Sequence, residues 1–292
     1  MNAMQGSFLA DLTGSFSQGA ASNPTVDLME AGYAAAAIPC RYVNCEVAPA
    51  DLPDAVRGAV AMGWLGFNCS IPHKVAVVSL VDDLAPSAAI IGAVNTVIIR
   101  NGHLTGENTD GQGFLASLRQ VIDPRGTRLL ILGAGGAARA IAVECALAGA
   151  SEVTIVNRGA ERGMALAELV SARTPAASNY LPWSPRLALP SDVDVVINAT
   201  SIGFAPDTAS APDVDFGTFR PTMVVADVVA NPPQTRWLTA AAAAGCTTVN
   251  GLGMLVNQAC INARLWTGVD CDPAVMRREL IRLFNLDEEP PH

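Results

Sequence analysis

The sequence predicts an α/β protein in two parts: an amino-terminal α/β substrate domain and a doubly wound parallel-sheet domain, with a cleft between them. Three observations carry this. Short apolar runs alternate with stretches of helical period along almost the whole chain. The alternation restarts near residue 109, where a strand then runs directly into Gly133-Ala134-Gly135-Gly136-Ala137-Ala138. Two helical stretches close the chain with no strand after them, so they pack back on the first part. The expected division is residues 1–109 with 252–292, and residues 110–251.

In order, the first part reads as a strand from Phe8 to Thr13, a helix from Thr25 to Ala37 and a strand from Arg41 to Val47. A helix from Leu52 to Met62 and a strand from Leu65 to Ser70 follow, then a helical stretch from His73 through Ile91. The run Ala93 to Arg100 turns at Asn101-Gly102 into His103 to Thr105, a hairpin signature. The second part opens with a helix from Thr109 to Val121 and the strand Arg128 to Leu132. A helix to about Leu147, a strand from Glu152 to Val156 and a helix from Ala160 to Ala172 come next. Residues 174–190 read as a loop with room for one strand, and strands follow at Val193 to Asn198 and Met223 to Asp227. The alanine run at 240–244 has low complexity, a Gly-Leu-Gly turn precedes helices at Met254 to Trp266 and Pro273 to Phe284, and Asp287 to His292 is a solvated tail.

Composition excludes several classes. At 292 residues and 50% hydrophobic the chain fills a proper core. A net charge of -9 without any Lys/Arg run argues against nucleic acid, and no apolar window reaches membrane-spanning length or the form of a signal peptide. Seven scattered cysteines with no C-x-x-C fit a reducing cytoplasm, and three dispersed histidines leave no metal site to expect.

The glycine turn sits between a strand and a helix, the context in which G-x-G-x-x-A binds a dinucleotide: Gly133 makes the tight turn, Gly135 admits the pyrophosphate, Ala138 packs helix on strand. Gly136 and Ala137 open the helix whose N-terminus faces the phosphates. The next strand ends in Val156-Asn157-Arg158, with Arg162 one turn on and no carboxylate for ribose hydroxyls, which favours NADP over NAD. The alternative is that both arginines are solvated helix-start charges, and Glu161 between them is a mild objection to a phosphate; NADP remains the favoured reading.

In Leu65-Gly66-Phe67-Asn68-Cys69-Ser70-Ile71-Pro72-His73-Lys74 the strand period puts Asn68 and Ser70 on one face, and Lys74 falls just past the strand end. Asn95 lies in an apolar run where its amide needs partners. Asp110 has the position of a helix cap, and Gln258 shares a helix face with Met254, Leu255, Ile261 and Leu265. Each of these alone has a structural explanation.

Together they do not. Asn68-x-Ser70-x-Pro72-x-Lys74, Gly92-Ala93-Val94-Asn95-Thr96, Asn108-Thr109-Asp110-Gly111, the glycine turn, Asn157-Arg158, Asn198-Ala199-Thr200-x-x-Gly203 and Gly251-Leu252-Gly253-Met254-Leu255-x-x-Gln258 resemble, in order, the motifs of the shikimate/quinate dehydrogenase family. The resemblance implies a Rossmann-type NADP domain and the reversible reduction of 3-dehydroshikimate to shikimate, a step of chorismate and aromatic amino-acid biosynthesis. It makes Lys74 and Asp110 the catalytic pair and assigns Asn68, Ser70, Asn95 and Gln258 to substrate. Thr200 and Gly251 join the cofactor residues Gly133, Ala134, Gly135, Gly136, Ala137, Asn157, Arg158 and Arg162. The partner it implies is a small anionic cyclic hydroxy acid, and the assembly a monomer or homodimer.

Two departures stand out. The family's Ser-x-Ser-Pro, whose hydroxyls bind the substrate carboxylate, is matched here by Ala21-Ser22-Asn23-Pro24, leaving Asn23 as donor. The family's tyrosine near the substrate is matched by Ala230. These changes point to quinate or another hydroxylated ring acid as alternative substrate. A non-catalytic metabolite or NADP sensor is the alternative of a different class, and the Lys74–Asp110 pair speaks against it.

Overall fold

A computed structural model describes residues 9–286; Phe8 and the expected tail at 287–292 lie outside the described residues. The described residues form two compact units, residues 9–107 with 259–283, and residues 108–258 with 284–286.

The first unit begins with β1 (Asp11–Ser17), α1 (Thr25–Ala35), β2 (Cys40–Glu46), α2 (Leu52–Ala61) and β3 (Gly66–Cys69). It continues through α3 (His73–Ala76), β4 (Asp83–Leu84), α4 (Pro86–Ile91), β5 (Thr96–Arg100) and β6 (His103–Glu107). Its sheet runs β2-β1-β3-β5-β6-β4; β1 pairs parallel with β2 and β3, and β5 is antiparallel to both its neighbours. The first strand starts later than its apolar pattern suggests. Thr13, Ser15 and Ser17 are all buried, so β1 is half polar and escapes a hydrophobicity reading.

The single helix expected from His73 to Ile91 is instead two short helices with a strand between them. Asp82 accepts the Leu104 amide at 2.8 Å and Asp83 meets His103 Nε2 at 2.8 Å, which draws the segment out along β6. Pro86 then opens α4 at a position where its missing N–H costs nothing. The hairpin turns as expected: Asn101 (φ 53°) and Gly102 (φ 81°) both occupy the left-handed region of a type I′ turn.

The second unit contains α5 (Thr109–Leu118), β7 (Arg128–Leu132), α6 (Gly136–Leu147), β8 (Glu152–Asn157), α7 (Ala160–Arg173) and β9 (Ala177–Pro182). After these come β10 (Val195–Asn198), β11 (Val224–Asp227), α8 (Arg236–Ala243) and β12 (Thr247–Val249). Its sheet is all parallel in the order β12-β11-β10-β7-β8-β9, the doubly wound order that reverses between β7 and β10. Leu129 and Ile131 of β7 face one core while Leu130 and Leu132 face the other, so helices cover both faces.

Sequence reading missed α8 and β12. The alanine run is a helix with the highest propensity available, capped by Thr235, whose Oγ1 accepts from the Leu238 amide at 3.3 Å. Three residues of β12 are too few to show a period. The expected Gly-Leu-Gly turn is the start of α9 (Gly251–Thr267). Its glycines serve close packing: a Cβ at Gly251 would strike the carbonyls of Val228 and Val229, and one at Gly253 the Ser117 hydroxyl. The last helix, α10 (Pro273–Leu283), packs against α1 in the first unit, and Trp266 of α9 donates its indole N–H to the Val97 carbonyl at 3.0 Å.

No described helix is long and apolar enough to cross a membrane, and no group of His, Cys, Asp or Glu among the described residues could hold a metal ion.

Candidate functional site

Within the second unit, Gly133 follows β7 at φ 111°, with a would-be Cβ 3.0 Å from the Ala199 carbonyl, so geometry and space both require glycine. Gly135 is the N-cap of α6 and offers no side chain to its first-turn amides. A Cβ at Gly135 or Gly136 would meet open space, so those N–H donors face a region a ligand phosphate can approach. Ala134 and Ala137 flank the turn half-buried, and Ala138 is fully buried against the sheet.

Beside this turn, β8 ends at Asn157, whose Nδ2 closes onto the Gly159 carbonyl at 2.8 Å. Arg158 and Arg162 are exposed, and neither forms an ion pair with Glu161 among the described residues. Arg158 instead lies over the Trp183 ring, 5.4 Å from its centroid. On the other side of the switch point, Thr200 Oγ1 donates to Asn198 Oδ1 at 2.7 Å, while Asn198 Nδ2 donates to Asp227 Oδ1 at 3.0 Å. Asp227 is fully buried and also accepts from Val229 N and from Thr235 Oγ1. Burial pushes its pKa up to about 6, against the pull of those donors. A glycine cradle with open first-turn amides, two exposed guanidiniums beside it and no acid at the end of β8 fit a dinucleotide bearing a 2′-phosphate. Asp110 lies half-buried in the first turn of α5, where Asn108 is the N-cap, so Asp110 does not hold the capping position. Gln258 is half-buried on α9, its backbone N close to where a Gly113 Cβ would project.

The first unit carries a polar row across four strands. Ser15 is in register with Asn44 of β2 and with Asn68 of β3, and Asn68 is in register with Thr96 of β5. Neighbouring residues Phe16, Phe67 and Val97 point to the other face and belong to the core there. Along the row, Tyr42 donates to Asn68 Oδ1 at 2.8 Å, and Asn68 Nδ2 donates to the Asn95 carbonyl and to Thr96 Oγ1, both at 3.0 Å. The Thr96 hydroxyl reaches Asn262 Oδ1 at 2.9 Å and Asn95 Oδ1 at 3.1 Å. Burial raises the Tyr42 pKa far above its ordinary value, so its hydroxyl stays a donor at any working pH.

At the other end of the row the bonds close into a ring. Asn23 Nδ2 donates to Ser15 Oγ at 3.2 Å, Ser15 Oγ to Asn44 Oδ1 at 2.8 Å, and Asn44 Nδ2 to the Asn23 carbonyl at 2.9 Å. Asn23 Oδ1 is taken by the Thr25 amide at 3.1 Å. Glu46 pins the same loop, accepting from the amides of Gly19 at 2.9 Å and Ala20 at 2.7 Å, which lowers its pKa. Ser17 Oγ is buried and makes no hydrogen bond among the described residues. Ser70 and Lys74 follow β3, both half-buried; the Lys74 carbonyl accepts from Val94 N at 2.8 Å. Burial takes the Cys69 thiol up to about 12, and the nearby Lys74 charge opposes it.

The structure thus brings Asn23, Asn68 and Asn95 into one hydrogen-bonded system, with Ser70 and Lys74 on the segment leaving β3. Sequence reasoning missed Tyr42, Asn44, Thr96 and Asn262. The signal for two of them was present: Tyr42, Asn44 and Glu46 alternate along β2 as Thr13, Ser15 and Ser17 do along β1.

Comparison with known proteins agrees with this picture. Residues 22–97 match the shikimate dehydrogenase substrate binding domain, 117–205 shikimate / quinate 5-dehydrogenase, and 251–281 the shikimate 5'-dehydrogenase C-terminal domain. The shikimate dehydrogenase (NADP(+)) of Methanopyrus kandleri is 42% identical over 82% of this chain and 84% of its own. Among solved structures, the ligand-free 5-ketofructose reductase of Gluconobacter sp. strain CHM43 is 55% identical with TM-score 0.93, covering 95% of this chain and 100% of that one. Shikimate 5-dehydrogenase of Thermus thermophilus, in complex with NADP(H) and shikimate, is 30% identical with TM-score 0.81 over 93% and 99%. The chain belongs to the shikimate dehydrogenase family and is an NADP-dependent oxidoreductase acting on a CH–OH group.

Proposed function

We propose that the chain interconverts a ketone and a secondary alcohol on a small polyhydroxylated compound, with Lys74 and Asp110 as the catalytic pair. The observation that carries this is the polar row through Asn68 of β3, the strand that leads directly into the segment bearing Ser70 and Lys74. NADPH, when bound, supplies the hydride. Asn68, Ser70, Asn95 and Gln258 hold ring or chain hydroxyls, and Lys74 gives its proton to the carbonyl oxygen as the alkoxide develops. Asp110 orients the ammonium and the neighbouring hydroxyl. Hydride on carbon and proton on oxygen complete the alcohol.

The first substrate reading is 3-dehydroshikimate and shikimate, which places the reaction in chorismate and aromatic amino-acid biosynthesis; the curated relatives support it. A second reading, a neutral ketose of the 5-ketofructose kind, is favoured by one feature of this chain. At the place of the family's carboxylate-binding serines stand Ala21, with no donor, and Asn23, whose amide is already engaged with Ser15 and Thr25. The single proton of Ser15 goes to Asn44. Of these side chains, that end therefore offers a substrate one amide proton, which suits a hydroxyl group better than a carboxylate. The 55% identity to 5-ketofructose reductase points the same way.

With seven free cysteines, a reducing cytoplasm is the working compartment in this proposal. The test follows NADPH absorbance with 3-dehydroshikimate and 5-ketofructose in one direction, and NADP with shikimate and quinate in the other. Turnover with one of them, lost in Lys74→Ala, is the expected result. Tight NADPH binding with no turnover of any would replace the enzyme by a sensor.

A further inference from the structure

Arg158 is the first residue past β8, and Trp183 the first past β9. Their predecessors Asn157 and Pro182 are register partners in the parallel ladder, so the two side chains leave the sheet together at its carboxyl edge. The guanidinium lies over the indole, 5.4 Å from the ring centroid, and makes no hydrogen bond or ion pair among the described residues. The indole itself is fixed from two sides. Its Nε1 donates to the Asp213 carbonyl at 3.1 Å, and its ring packs against the core that holds Leu187, Val214 and Trp237.

A long arginine in water loses rotamer freedom when it grips a phosphate, and that loss weakens binding. A fixed aromatic face removes part of it beforehand: stacking engages the flat of the guanidinium and leaves the N–H groups at its edge for the ligand. A carboxylate partner would have positioned the arginine too, while cancelling the charge and occupying those same donors. We infer that Trp183 is a positioning residue for the 2′-phosphate of NADP(H), holding Arg158 in its binding orientation and so contributing to the choice of NADP over NAD. The inference rests on Arg158 being a 2′-phosphate ligand.

The test titrates NADPH and NADH into the full-length protein, read by the nicotinamide's own fluorescence, for wild type, Arg158→Ala, Trp183→Ala, Trp183→Phe and the double variant. Arg158→Ala is expected to weaken NADPH at least about tenfold and leave NADH unchanged. Trp183→Ala should weaken NADPH about two- to fivefold, the worth of an exposed cation–π contact, again with NADH unchanged. Trp183→Phe should restore most of the affinity, and removing Trp183 from the Arg158→Ala protein should do nothing more. The proposal is overturned if Trp183→Ala weakens NADH equally, which marks a structural role, or if its effect persists without Arg158. An Arg158→Ala protein with full NADPH affinity would remove the underlying assignment instead.

Discussion

The two units build their sites by opposite means. In the second, function is written in backbone and in the absence of side chains: a glycine at φ 111°, an uncapped helix start, open space where Cβ atoms would stand. In the first, it is written in amides and hydroxyls drawn from β1, β2, β3, β5 and α9, with Thr96 and Asn262 separated by 166 residues. A backbone cradle accepts the same pyrophosphate whatever chemistry follows, whereas a side-chain network is remade whenever the substrate changes. The glycine turn is accordingly present here in full, while Ala21 and Asn23 stand where the sequence resemblance puts two serines.

The largest effect that can test this contrast is the loss of Lys74. Lys74→Ala should lower turnover by about 10²–10⁴-fold while NADPH titrates as in wild type. A parallel loss of cofactor affinity would break the division of labour between the units.

Next comes pH. An acid whose pKa is about 6 in the fold and 3.8 as a free group holds its proton more tightly in the native state. Asp227 thus contributes most stability below pH 4, and that contribution is lost as pH rises to 6, by about 3 kcal/mol. Denaturant unfolding of wild type and Asp227→Asn between pH 4 and 7 should show wild type losing ground to the variant as pH rises. Parallel curves would mean that the buried carboxylate does not titrate there. The row of Asn23, Ser15, Asn44, Asn68 and Thr96 contains only amides and hydroxyls, so variants within it should keep the wild-type slope and run parallel to wild type.

Smaller effects separate the substrate readings. Restoring two hydroxyls with Ala21→Ser and Asn23→Ser should shift kcat/KM toward shikimate and away from a neutral ketose by about tenfold, the scale of one or two charge-assisted bonds. Equal changes for both substrates would show that this end of the row does not discriminate. Asn44→Ala should raise KM for the preferred substrate by a few-fold with NADPH affinity untouched, since Asn44 orients Asn23 and Ser15.

The second unit was legible because period and glycine placement follow from local geometry: β7 was bounded to the residue, and the helix after it within the expected span. Where the sequence misled, tertiary partners had overruled local signals. The pattern from His73 to Ile91 is helical by period, yet Asp82 and Asp83 are claimed by β6. Gly251 and Gly253 look like a turn, yet they let a helix start against other backbone. Of the polar row, Asn95 was visible as an amide in an apolar run and Asn68 through the strand period it shares with Ser70. Thr96 and Asn262 were not, because nothing local marks a polar residue whose partner lies far along the chain.

The ring through Asn23, Ser15 and Asn44 has a consequence for how such a site changes over evolutionary time. Each member spends a donor or an acceptor on the next, so replacing one strands a hydrogen-bonding group on another. Single substitutions there cross a fitness valley that paired ones avoid. Homologues with a different substrate should therefore differ at more than one of these positions, and a designed change of substrate gains most when the ring is rebuilt as a unit.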